Sequence, residues 1–192
     1  AAIVPGLSLS LGYIIYLMVV CHIHPDWGPA MSPEELAEMP LKKRITGSLI
    51  NLIPRFYEPT KGEVRIDDIP VQNFRLSDLR KQIGLATQDV LLYSDTIEGN
   101  IAYGDSSIDL EEVEKFAKYS AASDFISKMP EGYDTVVGER GAGLSGGQKQ
   151  RISLARALAV RPSILILDDT TSAVDMETEK QIQEALRHLD FS

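Results

Sequence analysis

The sequence has a single cysteine and far fewer basic than acidic residues. The lone Cys21 excludes a disulfide bond within the chain. With 19 lysines and arginines against 28 acidic residues, the formal net charge is −9, which argues against a protein that grips a nucleic-acid backbone with a basic face. The 192 residues, 44% of them hydrophobic, suffice for one globular domain with a core.

Long apolar runs without charge are also scarce, and residues 3–20 form the single candidate membrane segment. Proline and glycine interrupt it, and its length lies at the lower edge of the roughly 17 to 25 residues that span a bilayer. It lacks the basic start and cleavage site of a secretory signal. Two interpretations stay open: a membrane-inserted or membrane-derived segment, and a buried or poorly ordered apolar segment.

Hydrophobic periodicity predicts an α/β domain from residue 48 onwards. The apolar run 164–167 is typical of a strand covered on both faces in a parallel sheet, and the run 83–86 is typical of a buried strand. Other segments have the spacing of helices or of an exposed strand. The first predicted helix is 48–56, broken by Pro54 or ending near it. The other predicted helices are 109–119, 123–128, 149–160 and 176–189, and the predicted exposed strand is 62–67.

The most informative stretch is Leu-Ser-Gly-Gly-Gln at 144–148, followed by Ile-Leu-Ile-Leu-Asp-Asp at 164–169. A glycine-rich turn that opens a helix offers unpaired N–H groups and the positive end of a dipole to a phosphate. An apolar strand that ends in carboxylates presents an acid to Mg²⁺. Singly, such motifs are usually an ordinary turn and a helix cap. Together, in this order, they predict half of a nucleoside triphosphate site.

The two motifs resemble the signature motif and the Walker B motif of the ATP-binding cassette of exporter-type ABC transporters. Other segments extend the resemblance from Thr46 to Leu189. Residues 80–88 resemble the strand and Q-loop, 91–101 the start of the helical subdomain, 137–141 the X-loop and 172–175 the D-loop. The resemblance implies a P-loop NTPase-like parallel sheet with an inserted helical subdomain, here incomplete.

This resemblance also predicts the domain organisation. Residues 1–24 form the apolar N-terminal segment, and residues 25–45 form a linker with a short helix. Residues 46–192 form a partial ATP-binding domain, whose helical subdomain covers about residues 98–150.

The roles of individual residues follow from the resemblance. Asp168 and Gln88 would bind Mg²⁺, and Gln88 would also serve catalysis together with Asp169. Asp169 replaces the glutamate usual in the family and is one methylene shorter, so its reach to the attacking water is reduced and hydrolysis would be slowed. The predicted nucleotide-binding residues are Ser145, Gly146, Gly147 and Gln148, which would close over ATP on the opposite subunit, and Asp175, which would cross the dimer interface.

The phosphate-binding P-loop is missing from the sequence. That motif needs glycines around a lysine followed by Ser or Thr, and no Gly-Lys pair occurs in the chain. Residues 46–48 lead directly into the helix that follows the P-loop in the family. The sequence also stops at Ser192, before the expected H-loop histidine, and we expect His188 to be a solvated helix residue instead.

The predicted function is ATP binding and hydrolysis that drive transmembrane export, with ATP and Mg²⁺ as cofactors. The predicted partners are a second nucleotide-binding domain and a transmembrane domain, and no nucleic acid is expected. This function places the chain in association with the membrane, at its cytoplasmic face. The alternatives are a non-catalytic partner that lends its signature motif to a complete cassette, and a truncated remnant unable to bind ATP alone.

Overall fold

The computed structural model describes residues 50–59, 62–87, 89–168, 173–187 and 189. These residues fall into two compact units that divide between Lys81 and Gln82. Predictions for the apolar segment 1–24, the linker 25–45, Gln88, Asp169 and His188 lie outside the described residues. Within the described ranges, no helix combines the length and apolar character needed to cross a membrane.

The first unit contains a short helical turn and a tight hairpin. Residues 50–52 are helical and lead into a turn at 53–55. The helix thus ends near Pro54, as predicted, because proline lacks an N–H donor and cannot continue a helix. Strand β1 (Arg65–Ile66) pairs antiparallel with β2 (Ile69–Pro70), and the predicted strand 62–67 is thus shorter than expected. Helix α1 (Leu76–Lys81) completes the unit.

A pair of parallel strands forms the sheet of the second unit. Strand β3 (Ile83–Ala86) lies parallel to β6 (Ile164–Leu167), with Ile83 opposite Ile164 and Ala86 opposite Leu167. Six of the eight residues in the two strands are buried, the exceptions being Leu85 and Leu167. This pairing confirms the predicted parallel sheet and the α/β fold class.

Helices and one small ribbon surround this pair. In chain order they are β4 (Asp95–Thr96), α2 (Ile97–Ile101), α3 (Leu110–Tyr119), α4 (Ser123–Ile126), β5 (Val136–Val137), α5 (Gly146–Ala159) and α6 (Met176–Arg187). The β4 and β5 strands pair antiparallel. The predicted helices are present, but α4 ends two residues early, at Ile126, and α6 ends at Arg187 rather than 189.

Helix α5 is the centre of the core. It begins at Gly146, three residues before the predicted start, because Ser145 caps it and its glycines join the first turn. The predicted inward residues Ile152, Leu154, Ala155 and Leu158 are all at most 1% exposed. They belong to one apolar cluster with residues of α2, α3 and β3. The turn formed by the signature motif at 144–148, called the signature turn below, therefore begins the most deeply packed helix of the unit.

Gly84 allows β3 to pass closely over α5. A Cβ atom at this position would lie 2.3 Å from the Ala157 carbonyl oxygen and 2.8 Å from Cγ of Pro162. We therefore expect Gly84→Ala to lower the free energy of unfolding by about 2 kcal/mol, since overpacking a rigid backbone contact forces a shift. A urea titration followed by circular dichroism measures this loss. Gly146→Ala is the control: its Cβ would meet nothing nearer than 3.5 Å, and a destabilisation equal to that of Gly84→Ala would contradict the steric explanation.

Candidate functional site

The signature turn is built by a reciprocal capping box. The Ser145 hydroxyl accepts a hydrogen bond from the Gln148 backbone N–H at 3.3 Å, and the Gln148 side-chain oxygen accepts one from the Ser145 backbone N–H at 2.8 Å. The Lys149 N–H donates to the Ser145 carbonyl. This arrangement fixes the start of α5 without help from a ligand.

The glycine amides of this turn are the groups that can face a phosphate. The first N–H groups of a helix have no partner inside the helix, and the capping box occupies those of Ser145 and Gln148. Gly146 and Gly147 follow Ser145 directly and find no acceptor among the described residues. Their N–H groups and the positive end of the α5 dipole are suited to a γ-phosphate. The turn therefore fits the role that the resemblance implies.

Residues 173–175 lie directly against this turn. A Cβ atom on Gly147 would lie 2.6 Å from the Ala173 carbonyl oxygen, so glycine is required for the approach. The Ala173 N–H donates to Oε1 of Gln150 at 3.1 Å. The predicted signature and D-loop residues, distant in sequence, are thus brought together by a backbone contact and a hydrogen bond.

Asp175 caps α6 from this segment. Its two carboxylate oxygens accept hydrogen bonds from the N–H and the hydroxyl of Thr178, at 2.9 and 2.8 Å. The Thr178 backbone hydrogen bond, followed by that of its hydroxyl, lowers the pKa of Asp175 below the ordinary value for aspartate. The cap is therefore complete above the ordinary carboxyl pKa and is lost as pH falls through the lowered one.

Asp168 follows β6 at the carboxyl edge of the parallel pair. Its N–H donates to the Ala86 carbonyl at 2.9 Å, which places Asp168 beside the end of β3. Gln88 comes two residues after Ala86 in the chain and itself lies outside the described residues. Asp168 therefore lies at the edge of the sheet where the parallel strands end, which is where open α/β sheets bind their ligands.

A hard carboxylate oxygen at this edge suits Mg²⁺, which is usually held by one or two carboxylates together with substrate phosphates. In the part of the chain that the structure describes, no group of three or more His, Cys, Asp or Glu side chains is arranged to hold a metal alone. Asp168 can supply one such carboxylate.

A groove of about 620 Å³ opens beside the signature turn. Its lining includes Gly146, Lys149, Arg140 and the segment 89–91 that follows the predicted Q-loop. The Lys149 Nζ donates to the Arg140 carbonyl at 2.9 Å, and Arg140 adopts a left-handed conformation with φ 54°. The predicted X-loop is thus fastened to α5 next to the signature turn.

A buried polar network holds the start of the helical region to α5. Asn100, fully buried in α2, accepts from the Tyr93 N–H and donates to the carbonyls of Tyr93 and Thr96. The Arg156 guanidinium of α5 donates to Asn100 and to the Leu91 carbonyl. Burial lowers the pKa of Arg156, and the neighbouring Tyr93 and Tyr103 oppose this shift.

Sequence reasoning did not single out Gln150, Asn100 or Arg156. Gln150 and Arg156 both lie on a helix predicted from its apolar residues, and each makes its contact with a segment remote in sequence. A polar residue on the buried side of an otherwise apolar helix is the signal that would have marked them, because buried polar groups require partners.

Comparison with known proteins places the chain in a family. The profile of the family described as ABC transporter matches residues 47–172. The chain is 50% identical over 142 residues to an ATP-dependent lipid A-core flippase of Syntrophus aciditrophicus (strain SB), covering 74% of this chain and 24% of the flippase. It is 55% identical over 139 residues to a putative multidrug export ATP-binding/permease protein of Staphylococcus aureus (strain NCTC 8325 / PS 47), covering 72% of this chain and 24% of that protein.

A solved structure agrees with these relatives. The structure of a bacterial Atm1-family ABC exporter with ATP bound matches with a TM-score of 0.72 and 43% identity, over 74% of this chain and 25% of the exporter chain. The chain thus spans about a quarter of the length of the proteins it matches.

The fold and the site define an α/β protein of the P-loop NTPase-like class. The chain belongs to the ABC transporter family. The family match continues through the signature turn and the Walker B strand, and it favours the role of a nucleotide-binding domain over that of a truncated remnant.

Proposed function

We propose that the chain acts as a nucleotide-binding domain of an ABC exporter, in which ATP and Mg²⁺ are bound and hydrolysed between this domain and a second one to drive transmembrane export. One observation carries the proposal: the capped signature turn begins α5, and α5 leads directly into β6 and Asp168. Related proteins named as a flippase and as an export ATP-binding/permease protein support a role in export.

The residues have distinct proposed roles. Ser145, Gly146 and Gly147 donate hydrogen bonds to the γ-phosphate of ATP held by a second nucleotide-binding domain, and Gln148 keeps their turn in shape. The remaining roles belong to the chain's own nucleotide side. There Asp168 and Gln88 hold Mg²⁺, Asp169 orients the attacking water, and Asp175 contacts the partner.

The two faces of the proposed site are unequal. The signature face is preformed, whereas the sequence contains no Gly-Lys pair to supply the lysine and backbone cradle of the opposite face. Most phosphate contacts in this class come from that cradle. We therefore place the stronger function of the chain in lending its signature turn to ATP on a partner domain, with a transmembrane domain completing the exporter.

Sedimentation velocity tests this proposal. The chain is mixed with an ATP-binding cassette that contains an intact P-loop and carries a Glu→Gln substitution after its Walker B aspartate, so that ATP persists. We expect a complex with ATP and Mg²⁺ and none with ADP and Mg²⁺. A chain that stays unassociated at millimolar ATP would contradict the proposal.

Binding of a fluorescent ATP analogue to the chain alone separates the two faces. We expect weak binding, at best millimolar, because the signature face by itself offers few contacts. Micromolar affinity would show that another segment replaces the missing cradle.

A further inference from the structure

The contact between Gln150 and Ala173 points to a role in the proposed site. We propose that Gln150 is a positioning residue that locks residues 173–175 to the signature turn, so that both approach a nucleotide as one unit. The inference rests on the proposed function and concerns a residue that touches neither phosphate nor metal in it. Three features of the structure support it.

The first is the burial of the Gln150 amide. Gln150 is 5% exposed, although it lies only five residues beyond the exposed Ser145. Burying an amide is unfavourable unless its polar atoms are hydrogen-bonded. Its side-chain oxygen accepts a hydrogen bond from the Ala173 N–H at 3.1 Å. This bond to residues 173–175, called the 173–175 segment below, offsets the free-energy cost of burying the amide.

The second feature is that Ala173 is contacted by two residues of α5. Gly147 and Gln150 are three positions apart on α5 and therefore lie on one face of the helix. Gln150 accepts a hydrogen bond from the Ala173 N–H. The Ala173 carbonyl packs closely against Gly147, which is possible because glycine has no side chain. Displacing the segment would break the hydrogen bond and open this contact together.

The third feature is the firm attachment of the segment at its other end. Val174 packs against the apolar core, and Asp175 caps α6 through Thr178. The segment is therefore fixed between two helices, and its position follows that of the α5 first turn. In the proposed dimer, seating of the signature turn on ATP then also places Asp175 toward the partner.

Two substitutions at Gln150 separate positioning from packing. Gln150→Met keeps the length and packing of the side chain but removes the acceptor oxygen and the amide N–H donors. Gln150→Glu keeps an acceptor oxygen. Gln183→Met makes the same change at an exposed position of α6 and serves as the matched control.

Hydrogen exchange and ATP-dependent sedimentation with the intact cassette are both measured on the full chain. In Gln150→Met we expect the exchange rate of the 173–175 amides to rise about tenfold. We expect the dissociation constant of the ATP-dependent complex to rise by the same factor, since about tenfold corresponds to the loss of one hydrogen bond. Amides in the middle of α5 stay protected. Gln150→Glu retains most of both properties, and Gln183→Met matches the unchanged chain.

Unchanged exchange at 173–175 in Gln150→Met would overturn the inference. So would an equal loss of protection throughout α5, because Gln150 would then act as a general packing residue. If the unsubstituted chain forms no ATP-dependent complex, the proposed function fails, and the exchange result still decides whether Gln150 positions the segment.

Discussion

Replacing Asn100 by leucine should remove about 3 kcal/mol from the free energy of unfolding, the largest stability loss that we expect from one side chain. Asn100 is fully buried, and its amide bridges the loop before α2 and the helix α5. Leucine has a similar volume, so the loss would come from hydrogen bonds rather than from a cavity. A urea titration followed by circular dichroism measures it.

The physical reason is the number of groups that lose a partner. The Tyr93 N–H, the carbonyls of Tyr93 and Thr96, and one guanidinium nitrogen of Arg156 all bond the Asn100 side chain. A buried polar group without a partner costs about 1–3 kcal/mol. The backbone groups of the exposed Tyr93 can partly turn toward solvent, so the total loss of stability stays below the sum of these individual costs.

Asn73 provides the matched control for this substitution. It is exposed, and Asn73→Leu should change the free energy of unfolding by less than about 0.5 kcal/mol. Equal effects of the two substitutions would show that the Asn100 network contributes nothing specific to stability.

Ser145→Asp should abolish ATP-dependent association while leaving the fold intact. Aspartate caps helices as well as serine does, so the α5 start is preserved. A carboxylate there would lie beside the proposed γ-phosphate. Two like charges about 4 Å apart repel by about 4 kcal/mol at an effective dielectric constant of 20, so affinity should fall at least about a hundredfold.

Ser127→Asp carries the same added charge at an exposed serine outside the site. Sedimentation with the intact cassette should show normal ATP-dependent association for this control. Association of Ser145→Asp that equals that of Ser127→Asp would place the phosphate elsewhere. A fall in melting temperature unique to Ser145→Asp would instead indicate damage to α5.

The elements with strong apolar periodicity were predictable from the sequence. The run Ile164–Leu167 has no polar residue, which favours a strand covered on both faces in a parallel sheet, and its observed parallel pairing confirms this prediction. The boundaries were less accurate. Helix α5 begins before its predicted start, because glycines at 146 and 147 count against a helix until the cap at Ser145 is considered.

Contacts between remote segments were not predictable in the same way. The signature motif marked Ser145, Gly146 and Gly147 as a phosphate-facing turn, but nothing local shows that Gln150 reaches Ala173 or that Arg156 reaches Asn100. Such pairs depend on how helices and loops pack in three dimensions. The functional roles of all the predicted site residues remain predictions: Gln88, Ser145, Gly146, Gly147, Gln148, Asp168, Asp169 and Asp175.

The most direct test is an experimental structure of the chain bound to an intact, hydrolysis-arrested cassette with ATP and Mg²⁺. The proposed function predicts that the Ser145 hydroxyl and the amides of Gly146 and Gly147 lie within hydrogen-bonding distance of the γ-phosphate on the partner cassette, with residues 173–175 still bonded to Gln150. A complex in which the signature turn faces solvent, away from the nucleotide, would contradict it.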